Sequence, residues 1–260
     1  MIGFNHLGRH GRLGNQMFQY AGLRGIAEHK GYDWAIPASD FEDEWHDHQL
    51  FEAFKLTGLK NIKEISGPYV QEAHFHFDEN LFNNMPDGHN IYAYLQSTKY
   101  FNHIEKEVRE DFQFKNQIVS PCQDMINQVE DPIALHVRRT DYITNCDNHP
   151  PCPKEYYDEA LSMFDSNRVV IIFSDDPEWC NEQFKDDRFL VSEGGDNIAD
   201  LCMMSLCSDF IIANSSFSWW GSWLCENKKK RIIAPKKWFG TGYTKHHDTS
   251  DLYCDNWEVI

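Results

Sequence analysis

Short apolar runs bounded by polar turns alternate along this chain with stretches whose apolar residues recur every three or four positions. That pattern predicts strands followed by helices. Ile2 to Leu7 reads as the first strand. After a glycine-containing loop, Met17, Phe18, Ala21, Ile26 and Ala27 recur at helical spacing, with Gly31 as the stop. Asp33 to Ile36 reads as a second strand. From Phe51 to Asn90 the periodicity weakens and aromatics and histidines accumulate (Phe75, His76, Phe77, Phe82, His89), which predicts irregular structure around an open cleft. Ile91 to Gln96 predicts a strand, and Tyr100 to Phe112 a helix that buries Ile104 and Val108.

A second series begins after residues 116–131, which read as a connection, so the sequence predicts two domains, 1–130 and 131–260, with packing of the last residues back on the first domain left open. Ile133, Ala134, Leu135 and Val137 follow Pro132 as a short β-prone run, the form of a buried strand in a parallel sheet. Further strands are predicted at Val169 to Phe173, Phe189 to Val191, Phe210 to Ala213 and Ile232 to Ala234. Helices are predicted at Glu155 to Phe164, Trp179 to Phe184, Asn197 to Cys207 and Trp219 to Glu226, and Tyr142 to Pro153 reads as a polar loop. Strand and helix in alternation give the α/β class.

Polar groups gather at three strand ends. The first carries His136, Arg138, Arg139 and Asp141, the second Ser174, Asp175 and Asp176, and the third Asn214 to Ser218. Ligands of open α/β sheets sit at the carboxyl ends of strands. A guanidinium fork matches phosphate oxygens, an aspartate suits the donors of guanine, and hydroxyls at a helix N-terminus meet a phosphate. The plainer reading of the arginine pair has one salt-bridged to Asp141 and the other solvated. Near the N-terminus, Gly8 to Gln16 forms a strand–glycine loop–helix cradle that matches neither a Walker loop nor Gly-x-Gly-x-x-Gly. Tight packing of a turn is its plainer reading.

Composition narrows the ligand. A 260-residue chain with 41% hydrophobic and 14% aromatic residues is globular, and its formal charge of −17 argues against nucleic acid or an anionic membrane as main partner. An anionic ligand must then be met by a local basic site. No run of 18 apolar residues or leader pattern occurs, so the chain reads as soluble and cytoplasmic. Its eight cysteines (122, 146, 152, 180, 202, 207, 225, 254) include no Cys-x-x-Cys and read as free thiols. Cys146, His149 and Cys152 fall short of a closed zinc site, and Glu42, Asp43, Glu44, His46, Asp47 and His48 read as a solvated run. Asp-x-Asp, the usual mark of metal-dependent sugar-nucleotide binding, does not occur.

Four stretches together resemble the motifs of the α-1,2-fucosyltransferases of glycosyltransferase family 11: Gly11 to Ala21, His136 to Tyr142, Phe173 to Asp176 and Ala213 to Leu224. Two positions depart from the family pattern, which usually has glycine where this chain has Arg12 and Thr140. The resemblance implies a GT-B-like fold, with two Rossmann-like domains facing across a cleft. The first domain would take the acceptor and the second GDP-fucose. It implies an inverting transfer of L-fucose from GDP-β-L-fucose to the 2-hydroxyl of a galactoside, without metal or other cofactor.

By the same resemblance Arg138 holds the β-phosphate and stabilises the leaving GDP, while Arg139 and Asp141 orient the loop. His136 and Asp175, with Asp176 beside them, reach the guanine or ribose, and Ser216, Phe217 and Ser218 complete the nucleotide pocket. Asn15, with Arg12 and Gly14, faces the fucose. Arg138, Asn15 and Asp141 are then the catalytic candidates. For the base, Asp141 is the obvious carboxylate but pairs with arginine, and Asp147 and His149 are alternatives. Two other readings stand beside this one: a transferase of another GDP-sugar on the same fold, and a non-catalytic glycan-binding protein.

Overall fold

The computed structural model describes residues 1–38, 48–192, 196–243 and 247–260, so Glu42 to Asp47 of the expected solvated run fall outside the described residues, while His48, its last member, is buried rather than solvated. The chain divides into two units, Met1–Lys115 with His246–Cys254, and Asn116–Lys245 with Asp255–Ile260.

In the first unit the order is β1 (Ile2–Gly3), α1 (Leu13–Lys30), β2 (Trp34–Ala35), α2 (Leu50–Ala53), β3 (Tyr69–Gln71), α3 (Glu79–Asn84), β4 (Asn90–Tyr92) and α4 (Glu105–Asp111). The four strands make a parallel sheet in the order β2-β1-β4-β3. Helix α1 is buried from Leu13 to Ala27 except at Asn15, and it ends as its spacing predicts. Gly31 sits left-handed at φ 67°, and Tyr32 N–H reaches back to Ala27 C=O at 2.9 Å. The cleft-like region predicted between Phe51 and Asn90 contains α2, β3 and α3, elements too short to show a period. The strand predicted at 91–96 stops at Tyr92. The helix predicted from Tyr100 is two 3₁₀ turns (Thr98–Tyr100, Asn102–Ile104) leading into α4.

A buried charge pins this unit. Asp111 is fully buried at the end of α4 and pairs with Arg24 of α1. Its carboxylate also accepts from Tyr20 Oη (2.7 Å), Thr57 Oγ1 (3.1 Å) and Gly58 N (2.6 Å), so no lone pair is stranded.

The second unit runs α5 (Asn116–Ile126), β5 (Ile133–Val137), α6 (Thr140–Thr144), α7 (Lys154–Ser162), β6 (Val170–Ser174), α8 (Pro177–Gln183), β7 (Phe189–Val191), α9 (Asn197–Ser205), β8 (Asp209–Ile211), α10 (Ser216–Leu224), β9 (Ile232–Ala234) and β10 (Glu258–Val259). Residues 116–126 are thus a helix rather than a connection. Cys122 Sγ reaches Ala199 C=O of α9 at 3.7 Å, and the division between units falls at 115/116, before the 130/131 expected from the sequence. A proline inside α5 at Pro121 hides the helical pattern.

All six strands are parallel, in the order β10-β9-β8-β5-β6-β7. Counted from β5, the chain winds out to β7, returns, and winds out the other way to β10, which is the doubly wound dinucleotide-fold order. Its switch point lies between β5 and β8. All five residues of β5 are buried, the apolar Ile133, Ala134, Leu135 and Val137 as predicted and His136 with them.

Candidate active site

The Arg-Arg stretch leaves β5 at the switch point. Helix α6 begins at Thr140, where the sequence suggested a loop, and so brings Asp141 one turn above Arg138. Arg138 Nη2 lies 2.6 Å from Asp141 Oδ1, and Nη1 lies 3.2 Å from Asp175 Oδ2. Its side chain is 17% exposed while that of Asp141 is 48% exposed, so the guanidinium is held from the protein side and Asp141 covers it from solvent. Neither arginine is simply solvated. Arg139 pairs with Asp176 at 3.0 Å, not with Asp141, and its guanidinium carbon lies 4.1 Å from the centre of the Trp179 ring.

Asp175 and Asp176 hold this loop from β6. Asp175 accepts from Arg139 N–H (2.9 Å), from Thr140 N–H (3.1 Å) and from the Thr140 hydroxyl. Burial works against its charge, but the Thr140 and Arg139 hydrogen bonds and the Arg138 charge outweigh it and hold the carboxyl below the usual range. Asp176 Oδ1 caps α8 by accepting from Trp179 N–H at 3.2 Å while Oδ2 takes Arg139. Both aspartates are occupied by the protein.

Across the switch point, His136 Nδ1 and Ser218 Oγ share a hydrogen bond of 2.9 Å. Ser218 Oγ also lies 3.4 Å from Ala213 C=O and 3.3 Å from Ser215 C=O, which can only accept. The arrangement satisfying all of them has the hydroxyl donating to a carbonyl and accepting from Nδ1–H, which leaves Nε2 bare. Burial, and then the Arg138 charge, push the His136 pKa down to about 3, so the ring is neutral at working pH. Ser218 is fully buried and acts behind the site through His136. Ser215 caps α10 by accepting from Phe217 N–H at 3.4 Å, so Ser216 and Phe217 open the helix itself, where the sequence suggested a loop before it.

Two further residues of this edge were not assigned a role from sequence. Tyr142 Oη donates to Asn214 C=O at 3.0 Å, bridging α6 to the end of β8, and its ring lies 5.6 Å from the Arg138 guanidinium carbon. Asn214 is buried and donates to Pro150 C=O and Trp238 C=O, both at 2.9 Å, while Oδ1 faces Cys152 Sγ at 3.4 Å. Both stand inside the motifs quoted above, and that was the available signal. The remainder of the last motif is packing. Trp219, Trp220 and Trp223 stack on one another, and a Cβ on Gly221 would sit 2.3 Å from Met204 Sδ of α9.

Arg12, Gly14 and Asn15 belong to the first unit. Gly11 has φ 97°, and a Cβ there would lie 2.4 Å from Asn15 Nδ2. Three amides of α1 tie this loop down: Asn15 Oδ1 accepts from Gln96 Nε2 (2.8 Å), Gln16 Nε2 donates to Gly11 C=O (3.2 Å) and Gln19 Nε2 to His10 C=O (2.7 Å). Arg12 is exposed at the N-cap of α1, and Gly14 is buried in its first turn. Of the candidate bases, Asp147 is exposed, and His149 stacks on Tyr142 with ring centres 5.3 Å apart. Among the described residues, no group of three His, Cys, Asp or Glu is placed to hold a metal, and no helix is long and apolar enough to cross a membrane.

The model of glycosyl transferase family 11 matches residues 1–260. The chain belongs to glycosyltransferase family 11. Among relatives, this family 11 glycosyltransferase is 28% identical to the O-antigen biosynthesis glycosyltransferase WbnK of Escherichia coli (95% of this chain, 97% of that one). It is also 28% identical to an α-1,2-colitosyltransferase of Escherichia coli (88% and 90%). It is 24% identical to galactoside α-(1,2)-fucosyltransferase 2 of Sus scrofa (82% and 67%). Among solved structures, POFUT1 in complex with GDP superposes with a TM-score of 0.62 at 12% identity (90% and 97%). The NodZ α-1,6-fucosyltransferase soaked with GDP-fucose gives 0.55 at 13% (90% and 94%). The family 11 chain therefore has the α/β, GT-B-like fold of these fucosyltransferases.

Proposed function

We propose that this glycosyltransferase moves L-fucose from GDP-β-L-fucose to the 2-hydroxyl of a galactoside, with inversion and without metal. The observation that carries the reading is Arg138, a half-buried guanidinium at the switch point, held from behind by Asp175. The diphosphate takes the position that Asp141 covers, and the fork neutralises the charge that grows on the β-phosphate as the bond to the sugar breaks. Asp175, Asp176, Thr140 and Trp179 hold the arginine loop, neutral His136 presents bare Nε2 toward the nucleoside, and the N-terminus of α10, opened by Ser216 and Phe217, offers the positive end of its dipole to phosphate. Asn15 and Arg12 serve the sugar from the glycine loop. The acceptor oxygen attacks the anomeric carbon as GDP leaves from the opposite face, and the acceptor proton passes to a carboxylate or imidazole of the site.

The colitosyltransferase relative favours a second donor. Colitose is L-fucose lacking the 3-hydroxyl, so GDP-colitose presents the same diphosphate and guanosine to the residues assigned above. Purified protein given GDP-fucose and GDP-colitose with a β-galactoside decides between them. The expected result is transfer from GDP-fucose that persists in excess EDTA and a rise in Tm with GDP. Loss of activity restored only by Mn²⁺ overturns the metal-free mechanism, and saturable galactoside binding with no GDP effect overturns the enzyme.

A further inference from the structure

One feature of the first unit has no part in the nucleotide chemistry. Five rings follow one another without a break: Tyr69 to His6 (ring centres 5.0 Å), His6 to Tyr92 (5.2 Å), Tyr92 to His10 (5.0 Å) and His10 to Tyr94 (4.3 Å). Strands β3 and β4 are in register, with Tyr69 beside Asn90 and Gln71 beside Tyr92, so Tyr69 and Tyr92 stand on one face of the sheet. His6 and His10 come from the loop beyond β1, and Tyr94 lies beyond the carboxyl end of β4. The row thus runs along the sheet face and out over its carboxyl edge, to the loop that leads into α1.

These rings are not core. Tyr69 is 48% exposed and the other four are half-buried. Among the described residues, the hydroxyls of Tyr69 and Tyr92 and the ring nitrogens of His6 and His10 hydrogen-bond to no protein group. The row carries no formal charge at neutral pH at His10, whose pKa burial and then His6 push below the ordinary value. In a chain of net charge −17, a strip of π faces edged with hydrogen-bonding groups suits a neutral, hydroxyl-rich ligand.

We infer that the acceptor glycan docks on the row Tyr69–His6–Tyr92–His10–Tyr94, with a galactose ring stacked by its apolar face. The axial O4 of galactose leaves the hydrogens of C3, C4 and C5 together on one face, which an aromatic ring can cover, while its equatorial hydroxyls point outward to the tyrosine hydroxyls and imidazole nitrogens. The inference rests on the transferase reading above and names the part of the chain that reads its acceptor.

The test uses saturation-transfer NMR with lactose on the GDP-bound protein, together with steady-state kinetics of Tyr69→Ala and Tyr92→Phe. Tyr69→Ala changes an exposed side chain, and Tyr92→Phe keeps the stack but removes the hydroxyl. The expected result is saturation transfer to galactose H3, H4 and H5, and an acceptor KM raised about tenfold by Tyr69→Ala, with Tm, the KM for GDP-fucose and donor hydrolysis unchanged. Unchanged acceptor KM in both variants, or a fall in Tm without any change in KM, overturns the docking row and makes it a fastener of the loop. No lactose signal alongside a GDP-dependent rise in Tm overturns the galactoside assignment while leaving the nucleotide reading intact. No GDP effect on Tm at all removes the transferase reading itself.

Discussion

Arg138 Nη1 lies 3.2 Å from Asp175 Oδ2, and the same carboxylate accepts the backbone N–H groups of the two residues that follow, Arg139 at 2.9 Å and Thr140 at 3.1 Å. One carboxylate therefore fixes both the guanidinium and the chain that carries it. An aspartate at this strand end reads equally well from sequence as a nucleoside ligand, yet its oxygens are already spoken for.

Asp175→Asn removes the ion pair and sets an amide N–H₂ against donors. The expected cost is about 1–3 kcal/mol of stability, with kcat lowered because Arg138 loses its backing. The carboxyl is held below its ordinary value of 3.8, so its contribution is present above that pH and lost as pH falls through the depressed folded value. Urea unfolding at pH 7 and at pH 3 checks this, and the gap between wild type and variant should narrow in acid.

Asp111 and Arg24 are buried together with Tyr20, Thr57 and Gly58 and touch none of the residues assigned to the chemistry. Removing one partner of such a pair costs about 3–5 kcal/mol, because the other charge stays buried. Arg24→Met should therefore lower stability by that order, while turnover of the protein that remains folded is unchanged. Denaturation midpoints and active-site-normalised kcat separate the two effects.

Glu72 follows β3 and accepts from Tyr94 N–H (3.0 Å), Leu95 N–H (3.4 Å) and Tyr100 Oη (3.0 Å). Burial raises its pKa to about 7, against the lowering effect of those hydrogen bonds. The folded state then binds the proton more tightly than the unfolded chain. The stability Glu72 contributes is full below the unfolded value of 4.5 and is lost as pH rises toward 7. Glu72→Gln, which cannot ionise, should remove that loss, so that its Tm relative to wild type climbs between pH 5 and pH 7.5. A constant difference across this range contradicts the assignment.

The second unit was largely legible because its strands are buried on both faces. Apolar runs such as Ile133–Leu135 and Ile232–Ala234 fix such strands without any need for alternation. The first unit was harder. β1, β2 and α2 span two to four residues and show no period, while in the second unit only the opening helix α5 was hidden, by Pro121. At the site, sequence brought the right residues to one edge but mispaired them, since Asp141 lies two residues from Arg139 yet faces Arg138 across one helical turn. The roles of Tyr142 and Asn214 depend on carbonyls 24 to 72 residues distant, which no local pattern reveals.

The central claim is that Arg138 carries the charge of the leaving nucleotide while Arg139 braces the loop through Asp176 and Trp179. Steady-state kinetics of Arg138→Lys and Arg139→Lys, with folding verified by circular dichroism, test it directly. An ammonium keeps the charge but not the fork, so Arg138→Lys should lose about 10²–10³ in kcat at unchanged Tm. Arg139→Lys should lower Tm with a much smaller loss of kcat. An Arg138→Lys enzyme with near-normal kcat contradicts the claim, as does a pair of variants that lose only stability.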